Sequence, residues 1–197
     1  NLKRNLLLFT QIKDLEIPTI LVINMSDRMK IKGISLDIAH LEEQLKTKIV
    51  LVSARKNIGI DVLKETISNY KNISSEPCLN ASSIEVEYFN KLRNTFPNQL
   101  LYKLWLVITQ DVNFANLDRN EIRNAYTKTQ AELKKLQQKE TIKRYQFINE
   151  TLKIGLKIDT EKATDIRAKL DKVLTHKIYG YLIFFGILFL IFQSIFD

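Results

Sequence analysis

The sequence predicts an α/β domain with a parallel sheet, followed by an α-helical bundle and one transmembrane helix. Three observations carry that class. Short β-branched runs, Thr19-Ile20-Leu21-Val22-Ile23 and Lys48-Ile49-Val50-Leu51-Val52, alternate with amphipathic stretches across residues 1–72. Residues 84–176 hold apolar positions mostly at three- and four-residue steps. Ile178–Phe196 is apolar and carries no charge.

Taken in order, Leu2, Leu6, Phe9 and Ile12, with Leu8 and Leu15, predict an amphipathic helix that Pro18 ends. The run that follows is continuous and β-branched, as buried parallel strands are. Polar residues Asn24–Lys32 and Gly33 come next, and Ile34, Ile38, Leu41 and Leu45 predict a second helix. After the second strand, Gly59 precedes a third helix bearing Ile60, Leu63, Ile67 and Tyr70. Helix–strand–helix–strand–helix implies a parallel sheet with crossover helices. A polar linker with Pro77 covers residues 73–83. The bundle then shows Phe89, Leu92 and Phe96 on a helix closed by Pro97, and Leu100, Leu101, Leu104, Val107 and Ile108 on another. Asp118 with Glu121 resembles a capping box. It would open one long helix through Ile122, Ala125, Thr129, Leu133, Leu136, Ile142, Tyr145, Ile148 and Leu152. Ala163, Ile166, Leu170 and Val173 form a last face, a continuous helical link toward the membrane. The expected division is residues 1–72 α/β, 73–83 linker, 84–176 helical and 177–197 span.

Composition limits function. Charged residues make up 26% of the 197, as in an ordinary folded chain. The net charge of +8 forms no dense basic block, so no nucleic-acid partner is expected. Arg167, Lys169, Lys172 and Lys177 stand just before the apolar run, where cations face anionic lipid on the cytoplasmic side. The lipid bilayer is therefore an expected partner, with residues 1–177 cytoplasmic. Tyr179 and Tyr181 suit the interface, Gly180 and Gly186 permit a close helix neighbour, and Gln193 and Ser194 are polar near the far end. Cys78 is the only cysteine, which excludes an internal disulfide and fits a reducing compartment. His40 and His176 are too far apart to suggest a metal pair, and no metal site is predicted. Asn1–Leu8 has no signal-peptide pattern. Asn1 is not an initiator methionine and the chain stops directly after the apolar run, so it is expected to be part of a longer protein.

Ligands of parallel sheets bind at the carboxyl ends of the strands. Those ends carry Asn24-Met25-Ser26-Asp27 and Ser53-Ala54-Arg55-Lys56. Together they look like the fourth and fifth motifs of P-loop GTPases, N-K-x-D and S-A-x, so the sheet would be the C-terminal part of a P-loop GTPase sheet. Guanine presents N1–H and a 2-amino group, and the carboxylate of Asp27 would accept both. Adenine offers no such pair and would leave that carboxylate unpaired. Asn24 would brace the loop and bond the base, and the Ala54 N–H would donate to guanine O6. Met25 stands where a lysine is usual; it covers the ring without the charge, which predicts weaker affinity. The candidate nucleotide-binding residues are Asn24, Met25, Asp27, Ser53, Ala54 and Arg55. No G-x-x-x-x-G-K-S/T cradle for the phosphates occurs, nor ligands for Mg2+. This chain alone is therefore expected to have no catalytic residue and to leave GTP intact.

The chain resembles FeoB, the bacterial ferrous iron transport protein B family, over essentially its whole length. The matching words are Asn1-Leu2-Lys3-Arg4-Asn5-Leu6, Asn24–Asp27, Ser53–Ile60, Arg144-Tyr145-Gln146-Phe147-Ile148-Asn149 and Asp171-Lys172-Val173-Leu174-Thr175-His176-Lys177. The family's fourth motif is similar at Met25. The resemblance implies a GTP/GDP-binding domain, a helical regulatory domain and a multi-span Fe2+ permease of the inner membrane. GTP hydrolysis with Mg2+ would be coupled to iron uptake, and homo-oligomer formation is left open. Two other readings remain: a membrane-anchored regulatory GTPase without transport, and a helical scaffold in which both loops are only structural.

Overall fold

Strands β1 (Leu21–Ile23) and β3 (Ile49–Leu51) pair in parallel, with Leu21 opposite Ile49, Val22 opposite Val50 and Ile23 opposite Leu51. The computed structural model describes residues 2–110, 112–126, 128–159, 170 and 173–196. It divides into two compact units, Asn1–Asp27 with Leu36–Lys157, and Arg28–Ser35 with Ile158–Asp197.

In the first unit α1 (Leu2–Lys13) buries Leu6 and Phe9. It stops before Pro18, because Asp14 and Leu15 turn and Glu16 adopts φ 54°. Lys13 is fully buried and donates to the carbonyls of Lys46 (2.9 Å) and Ser74 (2.8 Å). Helix α2 (Ser26–Ile31) opens directly after β1. Helix α3 (Ile38–Leu45) is capped by Asp37, whose carboxylate accepts from His40 N–H at 3.1 Å, and ends on Lys46 at φ 48°. Thr47 hydroxyl donates to Thr19 carbonyl, holding the start of the two strands together. The α/β core is Leu6, Phe9, Leu41, Leu45 and Ile49, completed by Ile148 and Leu152 from the helical segment. Helix α4 (Ile60–Ser68) starts at Gly59.

Three further helices, α5 (Val86–Thr95), α6 (Leu101–Thr109) and α7 (Arg119–Tyr126), and the long α8 (Gln130–Gly155) form a second core. Trp105 is its centre, with Phe89 at an edge-on 5.3 Å, and Leu92, Leu104, Val107, Ile122 and Leu136 around them. Trp105 Nε1–H donates to Glu140 at 2.7 Å, Tyr102 hydroxyl to the same carboxylate at 3.3 Å, and Arg144 Nε at 2.9 Å. Arg144, 2% exposed, also donates to Asp14 at 2.5 Å. α8 thus joins the helical core to the end of α1.

Several expectations are corrected. Ile34 belongs to a strand, β2 (Ile34–Leu36), which pairs with β4 (Leu156–Ile158) in a second two-stranded sheet. The long helix expected from Asp118 is two helices. Asp118 does cap α7, accepting from Asn120 and Glu121 N–H, but a full capping box of Thr129 with Glu132 starts α8 afresh. Ala163 and Ile166, and with them most of the expected link, lie outside the described residues.

In the second unit α9 (Tyr179–Phe196) is uncharged, and its described side chains are largely exposed. His176 Nδ1 accepts from the N–H groups of Ile178 (3.3 Å) and Tyr179 (3.4 Å), which caps the helix start. A Cβ on Gly180 would lie 2.4 Å from Leu174 carbonyl oxygen, whereas Gly186 faces open space. Side chains of α9 are described as far as Ser194, and among the described residues no helix is long and apolar enough to cross a membrane. The structure thus does not bear out the span expected at Ile178–Phe196, which rests on the sequence alone.

Candidate functional site

The two loops singled out in the sequence leave neighbouring parallel strands on the same edge and are bonded to each other. Ser26 N–H donates to Val52 carbonyl at 3.0 Å, and Val52 N–H to Ile23 carbonyl at 2.9 Å, so each loop extends the strand pairing. Asn24 Oδ1 accepts from Met25 N–H (2.7 Å) and from Ala54 N–H (3.2 Å). The Ala54 donor expected for guanine O6 is therefore given to Asn24 here. Met25 sits at φ 65° with its side chain 58% exposed.

Ser53 ends the second strand. Its N–H donates to Ile58 carbonyl at 2.9 Å and its carbonyl accepts from Ile58 N–H at 3.1 Å, which closes a tight loop over the turn Ala54–Lys56. Gly59 is needed there: φ is +75° and a Cβ would fall 2.3 Å from Leu51 carbonyl oxygen. The loop is thereby pinned at its base while Ala54 and Arg55 are displayed on its rim.

Asp27, in the first turn of α2, points its carboxylate back at this loop. Oδ1 accepts from Ser53 hydroxyl at 2.7 Å, and Oδ2 from Arg55 Nη2 at 2.9 Å. The Arg55 hydrogen bond first, then that of Ser53, holds the Asp27 carboxyl down at about 2, against the opposing effect of burial. It is a carboxylate at any physiological pH. The site can therefore offer an ionised, oriented two-oxygen acceptor to a planar group with two adjacent N–H donors.

All six residues singled out in the sequence, Asn24, Met25, Asp27, Ser53, Ala54 and Arg55, fall around this one point. The sequence did not reveal the buried Asp14–Arg144–Glu140 network. Its only signal was Arg144 within a matching word. A cavity of about 420 Å³ lined by Asp14, Lys46, Glu76, Cys78, Arg93 and Tyr102 lies apart from the two loops. Burial pushes the Cys78 thiol up to about 11, and the thiol donates to Leu45 carbonyl, so it is no ready nucleophile.

Residues 1–67 match the family model described as ferrous iron transport protein B. The chain is 30% identical, over all of its length, to the Fe(2+) transporter FeoB of Leptospira biflexa, covering 31% of that protein. Over 98% of its length it is 29% identical to the Fe(2+) transporter FeoB of Legionella pneumophila, covering 26%. It belongs to the FeoB family. The chain thus spans less than a third of these FeoB relatives. Its fold is similar to the cytosolic domain of the T. maritima FeoB iron transporter in a GDP form. There the TM-score is 0.67 at 19% identity, over 79% of this chain and 63% of that one. The cytosolic domain of L. pneumophila FeoB aligns with a TM-score of 0.54 at 22% identity, over 79% and 61%. These likenesses give the α/β fold with its parallel sheet and helical additions.

Proposed function

We propose that this chain is the base-reading and membrane-entry portion of a GTP-binding ferrous iron transporter of the bacterial inner membrane. One observation carries the reading. Asn24 and Asp27 from one strand end, and Ser53, Ala54 and Arg55 from the next, are cross-bonded at the carboxyl edge of parallel strands. Asp27 reads guanine N1–H and the 2-amino group, Ser53 orients Asp27, and Asn24 ties the two loops. Met25 covers the ring. Ala54 N–H passes from Asn24 to guanine O6.

Residues 1–72 are then the C-terminal part of the nucleotide domain, residues 84–176 the helical regulatory part, and Ile178–Phe196 the first span, entered from the cytoplasm. A helix of this kind rises about 1.5 Å per residue, so the run reaches roughly 28 Å, near the hydrocarbon thickness of a bilayer. No glycine-rich lysine cradle occurs among the 197 residues, and among the described residues no cluster of His, Cys, Asp or Glu could hold a metal ion. This chain therefore holds the base, and phosphate and Mg2+ chemistry falls to none of its residues. Fe2+ is cargo of the whole transporter.

The test is a calorimetric titration of the chain with GDP and with ADP. A preference for GDP that disappears in Asp27→Ala is the expected result. Equal affinities in the wild type, or a preference that survives in the variant, would refute the assignment.

A further inference from the structure

Asp27 already has donors on both oxygens, and the two donors differ in kind. Ser53 is 1% exposed, and its backbone is locked to Ile58 in both directions. Its hydroxyl stays with Asp27. Arg55 lies on the rim with its side chain 70% exposed, against 5% for Asp27. No other partner holds the Arg55 guanidinium among the described residues. It can leave by side-chain rotation alone, with the loop still pinned by Gly59 and the Ser53–Ile58 bonds.

We infer that Arg55 is an internal competitor for the base site, occupying the Asp27 oxygen that a bound guanine would use. This inference rests on Asp27 being the guanine acceptor. A guanidinium and the N1–H/2-amino edge of guanine are both planar arrays of N–H donors, so they satisfy one carboxylate in the same way and exclude each other. Guanine must break the Arg55–Asp27 pair to reach the carboxylate, whereas adenine, with no donors for it, leaves the pair in place. The cost therefore falls on guanine, so Arg55 lowers both the guanine affinity and the margin by which guanine is preferred. The preference belongs to Asp27. Arg55 thus holds the vacant site in a satisfied state and favours rapid release of the base.

Neutral nucleosides test this without phosphate electrostatics. The chain, Arg55→Ala and Arg55→Gln are titrated with guanosine and with adenosine by NMR, at low and at high salt. The pair is exposed on its Arg55 side, so both variants should bind guanosine more tightly by up to about fivefold, with adenosine binding little changed and the guanosine-to-adenosine ratio raised. Salt should tighten guanosine binding to the wild type, because it screens the pair, and leave the variants unaffected. In the same samples the Asp27 carboxyl should titrate higher in the variants. Unchanged or weaker binding by the variants, with the guanosine preference intact, would overturn the competitor role and make Arg55 a base contact or a bystander. Absence of any guanosine preference in the wild type would instead sink the reading of Asp27.

Discussion

Ser53 Oγ donates a 2.7 Å hydrogen bond to Asp27 Oδ1, and this bond joins the carboxyl ends of two parallel strands. It fixes the carboxylate plane at the point where a base would meet it. Ser53→Ala would remove that brace from a buried position. We expect a loss of about 1 kcal/mol in stability, the typical worth of such a bond. A several-fold loss of GDP affinity should accompany it, with the overall fold retained. Urea denaturation and calorimetry of the variant measure both.

Glu140 accepts from Trp105, Tyr102 and Arg144 at once. Glu140→Ala would leave a buried guanidinium and two ring donors short of an acceptor. A destabilisation of about 3–5 kcal/mol is expected, the range for breaking one side of a buried ionic network. The urea midpoint gives the value. A loss below 1 kcal/mol would mean that water reaches these groups.

Asp14 carries the pH dependence. Burial, outweighing the attraction of Arg144, pushes its carboxyl up to about 6, against about 3.9 in an unfolded chain. The native state therefore binds the proton more tightly than the unfolded state. The contribution is stabilising below about pH 4 and is lost as pH rises through about 6. Between those limits the stability of the wild type, measured relative to Asp14→Asn, should fall as pH rises. Denaturation of both proteins from pH 4 to pH 7.5 checks the sign.

Ile187 lies near the middle of α9 with no charge on any turn of that helix. Ile187→Lys would place an ammonium at the centre of the proposed span, at a cost of about 2.5–3.5 kcal/mol for insertion. Alkaline extraction of membranes from cells making the chain should leave the wild type in the pellet and release much of the variant. Equal release of both would rule out a span.

The parts of the fold that were legible in the sequence are those with a strong local signal. The β-branched runs at Leu21–Ile23 and Ile49–Leu51 point to the parallel pair, and the loops after them hold the six residues that the fold brings together at the strand ends. Strand β2 was hidden because Ile34 and Ile38 are four apart, a spacing that reads as one helix face. Strand β4 was hidden because it follows α8 with no intervening loop. Gly155 marks that junction for a packing reason: a Cβ there would lie 2.5 Å from Leu41 Cδ2. The break between α7 and α8 leaves no trace in the apolar spacing, which continues across it; Thr129 falls on the stripe but is the N-cap of α8. Asp14 and Arg144 are 130 positions apart, and no periodicity links residues at that range.

The assignment of Asp27 can be tested by inverting it. Xanthine carries a carbonyl where guanine has its 2-amino group, so a carboxylate repels it and an amide can donate to it. The decisive measurement is the affinity of the chain and of Asp27→Asn for GDP and for xanthosine diphosphate. A charged, paired hydrogen bond lost from this site is worth about 1.5–3 kcal/mol, or roughly 10- to 100-fold. The wild type should prefer GDP by that factor, and the variant should prefer the xanthine nucleotide. A variant that keeps the wild-type order of preference would contradict the account.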